Sequence, residues 1–384
     1  MTQTVSAEQR LFRSSTEQFL ARTVPVTDSR AREQRGSGFD WSWWQQGAEL
    51  GWTSLLVPDE LGGGSLSEHG LLDLAQLAEA LGDVVAPGPL AVSNAVTESL
   101  ACASNAAAFK DVIADLVAGR AVASWASYEP GRPWQPDAPQ ATLDRTPSGW
   151  CLNGIKDRVD SGDQATHLLV TARDGERLVQ VLVRGGHPGV TARADGSLDS
   201  VRRFATLTFT GVELDDAALV GDPHTTPAAI ERQWRTAVVL QCAETVGVAD
   251  RGFLMTTQWA SDRFSFGRPL ESYQALKHRF ADMLADLLAC RATAAAAAQA
   301  VAVGDPRASE LVSIAKSWVG AHATDILQDC VQLHGGIALT SEHSLHLYLR
   351  RATVNRVMWG TPSEHRRRVA DLVCAPHPSR SEAV

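Results

Sequence analysis

The chain has 384 residues, of which 44% are hydrophobic and 21% are charged, a composition that excludes an intrinsically disordered protein. Its formal net charge of −9 argues against nucleic acid or an anionic membrane as the main partner, although an acidic total still permits a local phosphate-binding pocket. The six cysteines are scattered, with no CxxC pair and no histidine at metal-ligand spacing. We therefore expect a cytoplasmic protein with reduced thiols, no metal site, no signal peptide and no membrane span.

The first third of the chain, residues 1–119, is predicted to be helical. Apolar residues recur at helical spacing over residues 5–22. A second helix is predicted to begin at Asp40, a candidate cap, and to end at Gly51. The stretch VPDELGGG (57–64) is predicted to be a loop, because proline and glycine interrupt it.

The middle of the chain, residues 120–225, changes to short segments rich in β-branched residues. ATLTFTGVEL (205–214) is one of them, and turn residues separate each segment from the next. Their spacing of roughly 10–15 residues favours an antiparallel sheet or barrel. No long helical pattern interrupts them, which argues against a Rossmann βαβ unit.

The last part, residues 226–384, is predicted to be helical again, beginning near Pro227. Three long helical patterns follow one another, over residues 228–262, 271–303 and 307–334. An alanine-rich run within the second pattern predicts a tightly packed bundle helix rather than a linker.

Several motifs resemble those of one enzyme family. DRFSFGRPLESYQALKHRFADM (262–283) and QLHGGIALTSEHSLHLYLRRA (332–352) are similar to the flavin-binding signatures of acyl-CoA dehydrogenases. SYEPG (127–131) and LNGIKDRVDSGDQATHLLVTAR (152–173) resemble β-domain segments of that family, and VPDELGGG resembles its N-terminal loop. The similarity spans almost the whole chain in the right order.

The resemblance implies an α+β fold of the acyl-CoA dehydrogenase type. We expect an N-terminal helical domain over residues 1–119, a middle antiparallel β-barrel domain over 120–225 and a C-terminal four-helix bundle over 226–384. The family binds FAD at a site shared between neighbouring subunits. A homo- or hetero-oligomer, most simply a dimer of dimers, is therefore implied.

The same resemblance supplies candidate FAD-binding residues. The guanidinium of Arg263 suits pyrophosphate oxygens, and a glycine pair lets the backbone approach a ligand closely. The candidates are Arg263, Phe266, Gln274, Gln332, Gly335, Gly336, Thr361 and Ser127.

The reaction implied is removal of two hydrogens across Cα–Cβ of a CoA thioester. A carboxylate takes the α-proton while a hydride leaves the β-carbon for the flavin, and an electron-transfer flavoprotein-like partner accepts the electrons. Hydrogen bonds to the thioester carbonyl stabilise the developing enolate. A base is therefore obligatory.

Neither familiar position of that base carries a carboxylate here. MWGT (358–361) has Trp359 where many members have glutamate, and Val238 occupies the position that other members use. Glu244 lies in an otherwise apolar stretch, where burial would raise the pKa of its carboxyl to roughly 6–7 and suit it as the base. The alternative is that Glu244 merely pairs with Arg251 or with another chain.

Other departures concern the flavin ring and nearby polar groups. Arg158 and Asp160 stand where an aromatic residue and a threonine usually flank the ring, while Ser127 and Ser161 could offer hydroxyls. The backbone N–H of Trp359 could still serve a thioester carbonyl, with the indole walling an acyl pocket. The basic run 365–368 is either a phosphate contact or, more simply, a solvated helix face.

Three functions remain open from the sequence. The leading hypothesis is an FAD-dependent acyl-CoA dehydrogenase of lipid metabolism that acts on a bulky or branched, steroid side-chain type of acyl-CoA. The second is a non-catalytic partner subunit of a heteromeric acyl-CoA dehydrogenase. The third is a flavin oxidase or monooxygenase of the same fold.

Overall fold

A computed structural model describes residues 6–25, 36 and 38–374 of the chain. The N-terminal helices are α1 (Ala7–Thr23), α2 (Trp41–Glu49), α3 (Gly70–Asp83), α4 (Leu90–Ala101) and α5 (Lys110–Val117). Helix α1 begins with a capping box, in which Ser6 and Gln9 satisfy each other's backbone N–H groups. Helix α2 begins as predicted, because the Asp40 side chain accepts from the N–H of Trp43. Residue 5 of the first predicted helix lies outside the described residues.

The middle region forms one sheet. Its strands are β1 (Ala123–Ala126), β2 (Thr142–Thr146), β3 (Gly149–Asp160), β4 (His167–Asp174), β5 (Arg177–Arg184), β6 (Val190–Asp195) and β7 (Phe204–Leu214). Hydrogen-bonded neighbours follow the order β1–β4–β2–β3–β7–β6, and β5 pairs with β4. Strands β1 and β2 run parallel to β4, whereas the other pairings are antiparallel.

The predicted α+β fold is confirmed, but the sheet is mixed and open rather than a wholly antiparallel barrel. The parallel pairing arises because the β2–β3 hairpin intervenes between β1 and β4, and a hairpin alone cannot join parallel strands. Among the described residues, β5 and β6 each pair with a single strand, so the sheet does not close.

Strand β3 carries an irregularity that matters for the site. Its register against β7 shifts between Lys156 and Val159, and Arg158 adopts a φ of 52° within that shift. Such a bulge re-aims a side chain. It turns Arg158 away from the regular alternation of the strand.

The C-terminal region is helical apart from one small hairpin. Its elements are α6 (Thr226–Asp262), β8 (Phe264–Ser265), β9 (Arg268–Pro269), α7 (Gln274–Ala302), α8 (Ala308–His334), α9 (Leu345–Val357) and α10 (Pro362–Cys374). Pro227 lies in the first turn of α6, as predicted. The alanine-rich part of α7 buries one face, at Ala294, Ala297 and Ala298, in agreement with a bundle helix.

Helix α7 is also long and apolar enough to span a membrane, judged by length and composition alone. A core helix of a globular protein meets the same criterion, and α7 packs against α6 and α8. This single helix, within the described part of the chain, is weak evidence for a membrane span.

Two glycines bring α3 and α6 into backbone contact. A Cβ added at Gly82 would collide with the carbonyl oxygen of Glu244, and one added at Gly247 would collide with that of Glu79. Only glycine permits so close an approach. The backbone of Glu244 is therefore packed directly against α3, between the N-terminal helices and the C-terminal bundle.

Candidate functional site

The first flavin signature forms an exposed hairpin after α6. Phe266 is 98% exposed and has a φ of 50°, so the tip of the hairpin points away from the chain. The hairpin is held from behind, because the Tyr273 hydroxyl donates to the Ser265 carbonyl at 2.6 Å and Arg268 lies over the Tyr273 ring at 3.9 Å. Arg263 lies at the base of this hairpin.

The second flavin signature lies beside the first. His334 stacks on Trp259 with ring centroids 5.2 Å apart, and the Arg263 guanidinium lies 5.8 Å from the centroid of the same Trp259 ring. Gly335 ends α8 with a φ of 69°, and a Cβ added at Gly335 or Gly336 would meet nothing within 4 Å among the described residues. Six exposed residues of the two signatures, all predicted to bind FAD, are here called the outer half-site: Arg263, Phe266, Gln274, Gln332, Gly335 and Gly336.

Two predicted FAD-binding residues lie elsewhere. Ser127 is buried, and its hydroxyl has no hydrogen-bond partner among the described residues. Thr361 is already engaged, because its N–H and its hydroxyl donate to the same oxygen of Glu364 at 2.7 and 2.8 Å. The structure therefore does not bring Ser127 and Thr361 together with the outer half-site.

Trp359 is buried in an aromatic cluster. Its ring stacks on Trp125 at 5.2 Å, meets Trp134 edge-on at 5.2 Å and lies 5.6 Å from Tyr128. These separations are typical of aromatic rings in direct contact. We call Trp125, Tyr128, Trp134 and Trp359 the Trp359 cluster.

The backbone of Trp359 is also fully used. Its N–H donates to the hydroxyl of Tyr128, and its carbonyl accepts from Nε2 of His365 at 2.9 Å. The expectation that this N–H serves a thioester carbonyl is wrong for this structure, because the Tyr128 hydroxyl occupies that position. The indole fills space between the β-sheet and the C-terminal helices instead of lining an open pocket.

Arg158 closes the Trp359 cluster from the β3 side. Its Nη2 donates to the carbonyls of Glu129 and Arg132 at 2.8 and 3.0 Å. Its guanidinium lies 4.4 Å from the centroid of the Tyr128 ring. The bulge in β3 thus fixes the loop that follows β1 against the cluster.

Glu244 is buried and held by three donors. One carboxylate oxygen accepts from Arg351 Nη1 at 2.6 Å, and the other accepts from Asn355 Nδ2 at 3.0 Å and Arg202 Nη2 at 3.2 Å. Burial opposes its charge, but the two arginines and Asn355 outweigh burial and hold the pKa of Glu244 below its usual value. The expected rise in this pKa is therefore wrong.

The alternative partner predicted for Glu244 is wrong as well. Arg251 pairs with Asp83 of α3 instead, because seven residues place it about 10 Å further along α6 than Glu244. The arginines that do hold Glu244 come from the segment before β7 and from α9.

Two further carboxylates complete this buried group of charges. Asp199 pairs with Arg351, and Asp160 lies 3.3 Å from Nε of Arg202. Burial raises the pKa of Asp160 to about 6, an effect that the Arg202 charge opposes and the Glu244 charge assists. We call Asp160, Asp199, Arg202, Glu244 and Arg351 the buried charge network.

The basic run 365–368 is only partly a solvated face. His365 is buried and stacks on Trp234 with centroids 5.6 Å apart, and burial lowers its pKa to about 3. Arg368 pairs with Glu231 at 2.6 Å. Half of this run therefore anchors α10 to α6, which the sequence did not reveal.

Comparison with known proteins identifies the family. The acyl-CoA dehydrogenase N-terminal domain matches residues 6–120, and the acyl-CoA dehydrogenase C-terminal domain matches residues 233–373. The chain belongs to the acyl-CoA dehydrogenase family, a family of FAD-dependent oxidoreductases. The resemblance inferred from the motifs is confirmed.

Individual relatives match nearly the whole length of the chain. It is 29% identical to acyl-CoA dehydrogenase IpdE2 of Mycobacterium tuberculosis over 95% of this chain and 97% of IpdE2. The Tcur3481–Tcur3483 steroid acyl-CoA dehydrogenase superposes with a TM-score of 0.85 at 26% identity, over 96% of this chain and 98% of that one. The ChsE4–ChsE5 complex of M. tuberculosis has the same fold, with a TM-score of 0.87 at 24% identity over 98% and 100% of the two chains.

Proposed function

We propose that this chain is the supporting subunit of a heteromeric FAD-dependent acyl-CoA dehydrogenase whose catalytic carboxylate belongs to a different subunit. One observation carries the proposal: Glu244, the candidate base left by the sequence, has both carboxylate oxygens occupied by donors. The position used by many family members holds Trp359, whose indole cannot accept a proton from carbon.

The environment of Glu244 opposes proton transfer. A general base needs a free lone pair within hydrogen-bond reach of the substrate and a pKa near the working pH. Protonating Glu244 would leave Arg202 and Arg351 buried with less opposing charge, which is why its pKa is lowered. Glu244 is better explained as the centre of the buried charge network than as the base.

The assembly is proposed to act on a bulky or branched acyl-CoA, as in steroid side-chain catabolism. Similarity to the Tcur3481–Tcur3483 steroid acyl-CoA dehydrogenase supports this class of substrate. The ChsE4–ChsE5 structure is a complex, and one of its chains has the fold of this chain, which supports a heteromeric assembly. We expect an electron-transfer flavoprotein-like acceptor and a cytoplasmic location, in keeping with six free cysteines.

One experiment distinguishes a catalytic Glu244 from a Glu244 that only belongs to the buried charge network. The chain is purified alone and together with the product of its neighbouring gene, and each is assayed for acyl-CoA-dependent dye reduction. We expect no turnover from the chain alone and turnover from the pair. Glu244→Gln in the pair should reduce turnover no more than Asp199→Asn does, because both residues pair with Arg351 in the same network.

A catalytic role for Glu244 predicts a different result. Loss of a general base lowers the rate by roughly 10²–10⁴-fold, while Asp199→Asn would leave the rate within a small factor. Turnover by the chain alone would also overturn the proposal. Hydrogen peroxide as the product of turnover would indicate an oxidase in place of a dehydrogenase.

A further inference from the structure

We propose that Arg232 and Arg235, in the N-terminal part of α6, form a binding site for a small phosphate-type dianion, which is either free phosphate or the phosphate monoester of a metabolite. The two residues are here called the arginine pair. They lie where α6 packs against α4, and neither belongs to the outer half-site or to the Trp359 cluster. The inference goes beyond the proposed function and does not depend on it.

Both members of the arginine pair lack a protein partner. The Nε atoms of Arg232 and Arg235 are buried and have no hydrogen-bond partner among the described residues. Arg202, Arg351 and Arg368 also have one buried nitrogen without a partner, but each of them forms an ion pair through another nitrogen. A buried N–H without an acceptor costs free energy. An acceptor for the arginine pair must therefore come from outside the described part of the chain.

The spacing of the arginine pair lets both side chains reach one ligand. Helical residues three positions apart lie on one face, with Cβ atoms about 5–6 Å apart. Two like charges at this spacing repel each other, and a bound dianion removes the repulsion. Guanidinium groups are suited to phosphate because their planar fork donates to two oxygens at once.

Two nearby carboxylates form no ion pair with the arginine pair within the described structure. Glu98 of α4 accepts from the Thr236 hydroxyl at 2.7 Å. Burial raises the pKa of Glu98 although the two arginine charges oppose that rise. Glu231 of α6 is already engaged, because it accepts from Arg368 and from the Ser309 hydroxyl, both at 2.6 Å. Neither carboxylate therefore neutralises the arginine pair.

The charge of the ligand follows from the charge of the site. The chain has 44 acidic residues against 35 lysines and arginines, so two unpaired arginines do not result from a shortage of carboxylates. A phosphate monoester carries roughly −1.5 to −2 charges at pH 7 and offers three acceptor oxygens. It therefore matches two cations better than a single carboxylate does.

Calorimetric titration of the full chain with inorganic phosphate and with glycerol phosphate tests the site. Arg232→Gln and Arg235→Gln should each weaken binding by roughly tenfold or more, since charge-assisted hydrogen bonds are lost. The matched control is Arg279→Gln, which removes an arginine that is already paired with Asp329 and should bind as the parent does. Tighter binding of glycerol phosphate would identify a monoester as the ligand, and tighter binding of phosphate would identify the free ion.

Stability gives a second measurement that also checks folding. Phosphate bound to the folded state should raise the midpoint of urea unfolding of the parent and of Arg279→Gln. Both variants of the arginine pair should unfold cooperatively and show no such rise. A rise that Arg232→Gln and Arg235→Gln retain would overturn the proposal, because the ion would then be bound elsewhere.

Glu98 allows the position of the ion to be tested with sulfate, a dianion whose own charge is constant near neutral pH. Ionised Glu98 opposes a neighbouring anion, so the affinity for sulfate should fall as pH rises through the raised pKa of Glu98. Glu98→Gln should abolish this fall. Weaker sulfate binding by Glu98→Gln, or no binding of any of the three anions by the parent, would overturn the proposal. Acyl-CoA turnover by the chain alone would refute the supporting role and leave this site unaffected.

Discussion

The Trp359 cluster and the outer half-site derive from motifs of one flavin-binding family, yet they have opposite physical character. In the cluster, rings contact rings and most polar atoms are paired within the chain. In the outer half-site, the Phe266 ring and two glycines are exposed, and the Arg263 guanidinium lies 5.8 Å from the centroid of the Trp259 ring. Two regions that both carry family motifs can therefore differ sharply in burial.

The comparison also separates stability from binding. Groups that pack and pair within the chain stabilise its fold, whereas exposed groups outside such contacts affect folding little. Substitutions in the inner region should lower the free energy of unfolding, and substitutions in the outer half-site should change ligand binding alone. Substitutions in the two regions should differ in effect, and the largest difference is expected first.

The largest effect is expected in the buried charge network. Arg351→Ala leaves Glu244 and Asp199 buried without the arginine that they share, and removing one member of a buried ion pair costs roughly 3–5 kcal/mol. Urea unfolding at pH 7 measures the loss. The control is Arg279→Ala, which removes an exposed pair with Asp329 and should cost less than about 1 kcal/mol. Equal losses for the two variants would contradict the comparison.

The next prediction compares the effects on stability of removing one aromatic ring from each region. Trp359→Ala should destabilise the chain by roughly 3–5 kcal/mol, because a buried ring and its contacts are lost. Phe266→Ala removes a ring that is 98% exposed and should stay within about 0.5 kcal/mol of the parent. Thermal and urea unfolding of the isolated chain measure both. A large loss for Phe266→Ala would mean that the hairpin supports the fold.

A smaller effect should appear as a dependence on pH. The pKa of Asp160 is raised to about 6 in the folded chain, so the folded state binds more protons than the unfolded state between about pH 4 and 6. The free energy of unfolding therefore falls as pH rises through that window. Asp160→Asn removes this dependence on pH. The free energy of unfolding of the variant, taken relative to that of the parent, should therefore rise by up to about 3 kcal/mol between pH 4 and 7. Urea unfolding at a series of pH values measures this difference.

Asp199→Asn provides the control of opposite sign. Burial opposes the charge of Asp199, but Arg351 outweighs it and lowers the pKa of this carboxyl. Its contribution to stability is present above the unfolded pKa and is lost as pH falls through the folded one. The free energy of unfolding of Asp199→Asn should therefore fall relative to that of the parent as pH rises. If the free energies of unfolding of Asp160→Asn and Asp199→Asn changed with pH in the same direction relative to the parent, the opposite pKa shifts of these two carboxyls would be contradicted.

The sequence predicted features that depend on neighbouring residues. The cap at Asp40, the helix start near Pro227 and the order of helices and strands follow from local patterns. The parallel pairing of β1 with β4 did not, because it depends on a chain path that no local pattern records.

Two features of the site could be predicted from the sequence only in part, because their partners are distant in the chain. A glutamate in an apolar stretch must find opposite charge, but Arg202 and Arg351 lie 42 and 107 positions away, so proximity in sequence favoured Arg251 wrongly. Likewise, Trp359 stands where many family members have glutamate, but its partner Tyr128 lies 231 positions away, so the ring contacts of the Trp359 cluster could not be predicted from local patterns.

The stacking of Trp125 on Trp359 has an optical consequence. Two indoles 5.2 Å apart and 19° from parallel are close enough for their electronic transitions to couple. Such a pair gives an exciton signal in circular dichroism that disappears when either ring moves. The chain therefore carries its own reporter of whether the Trp359 cluster is intact, readable without ligand, label or partner.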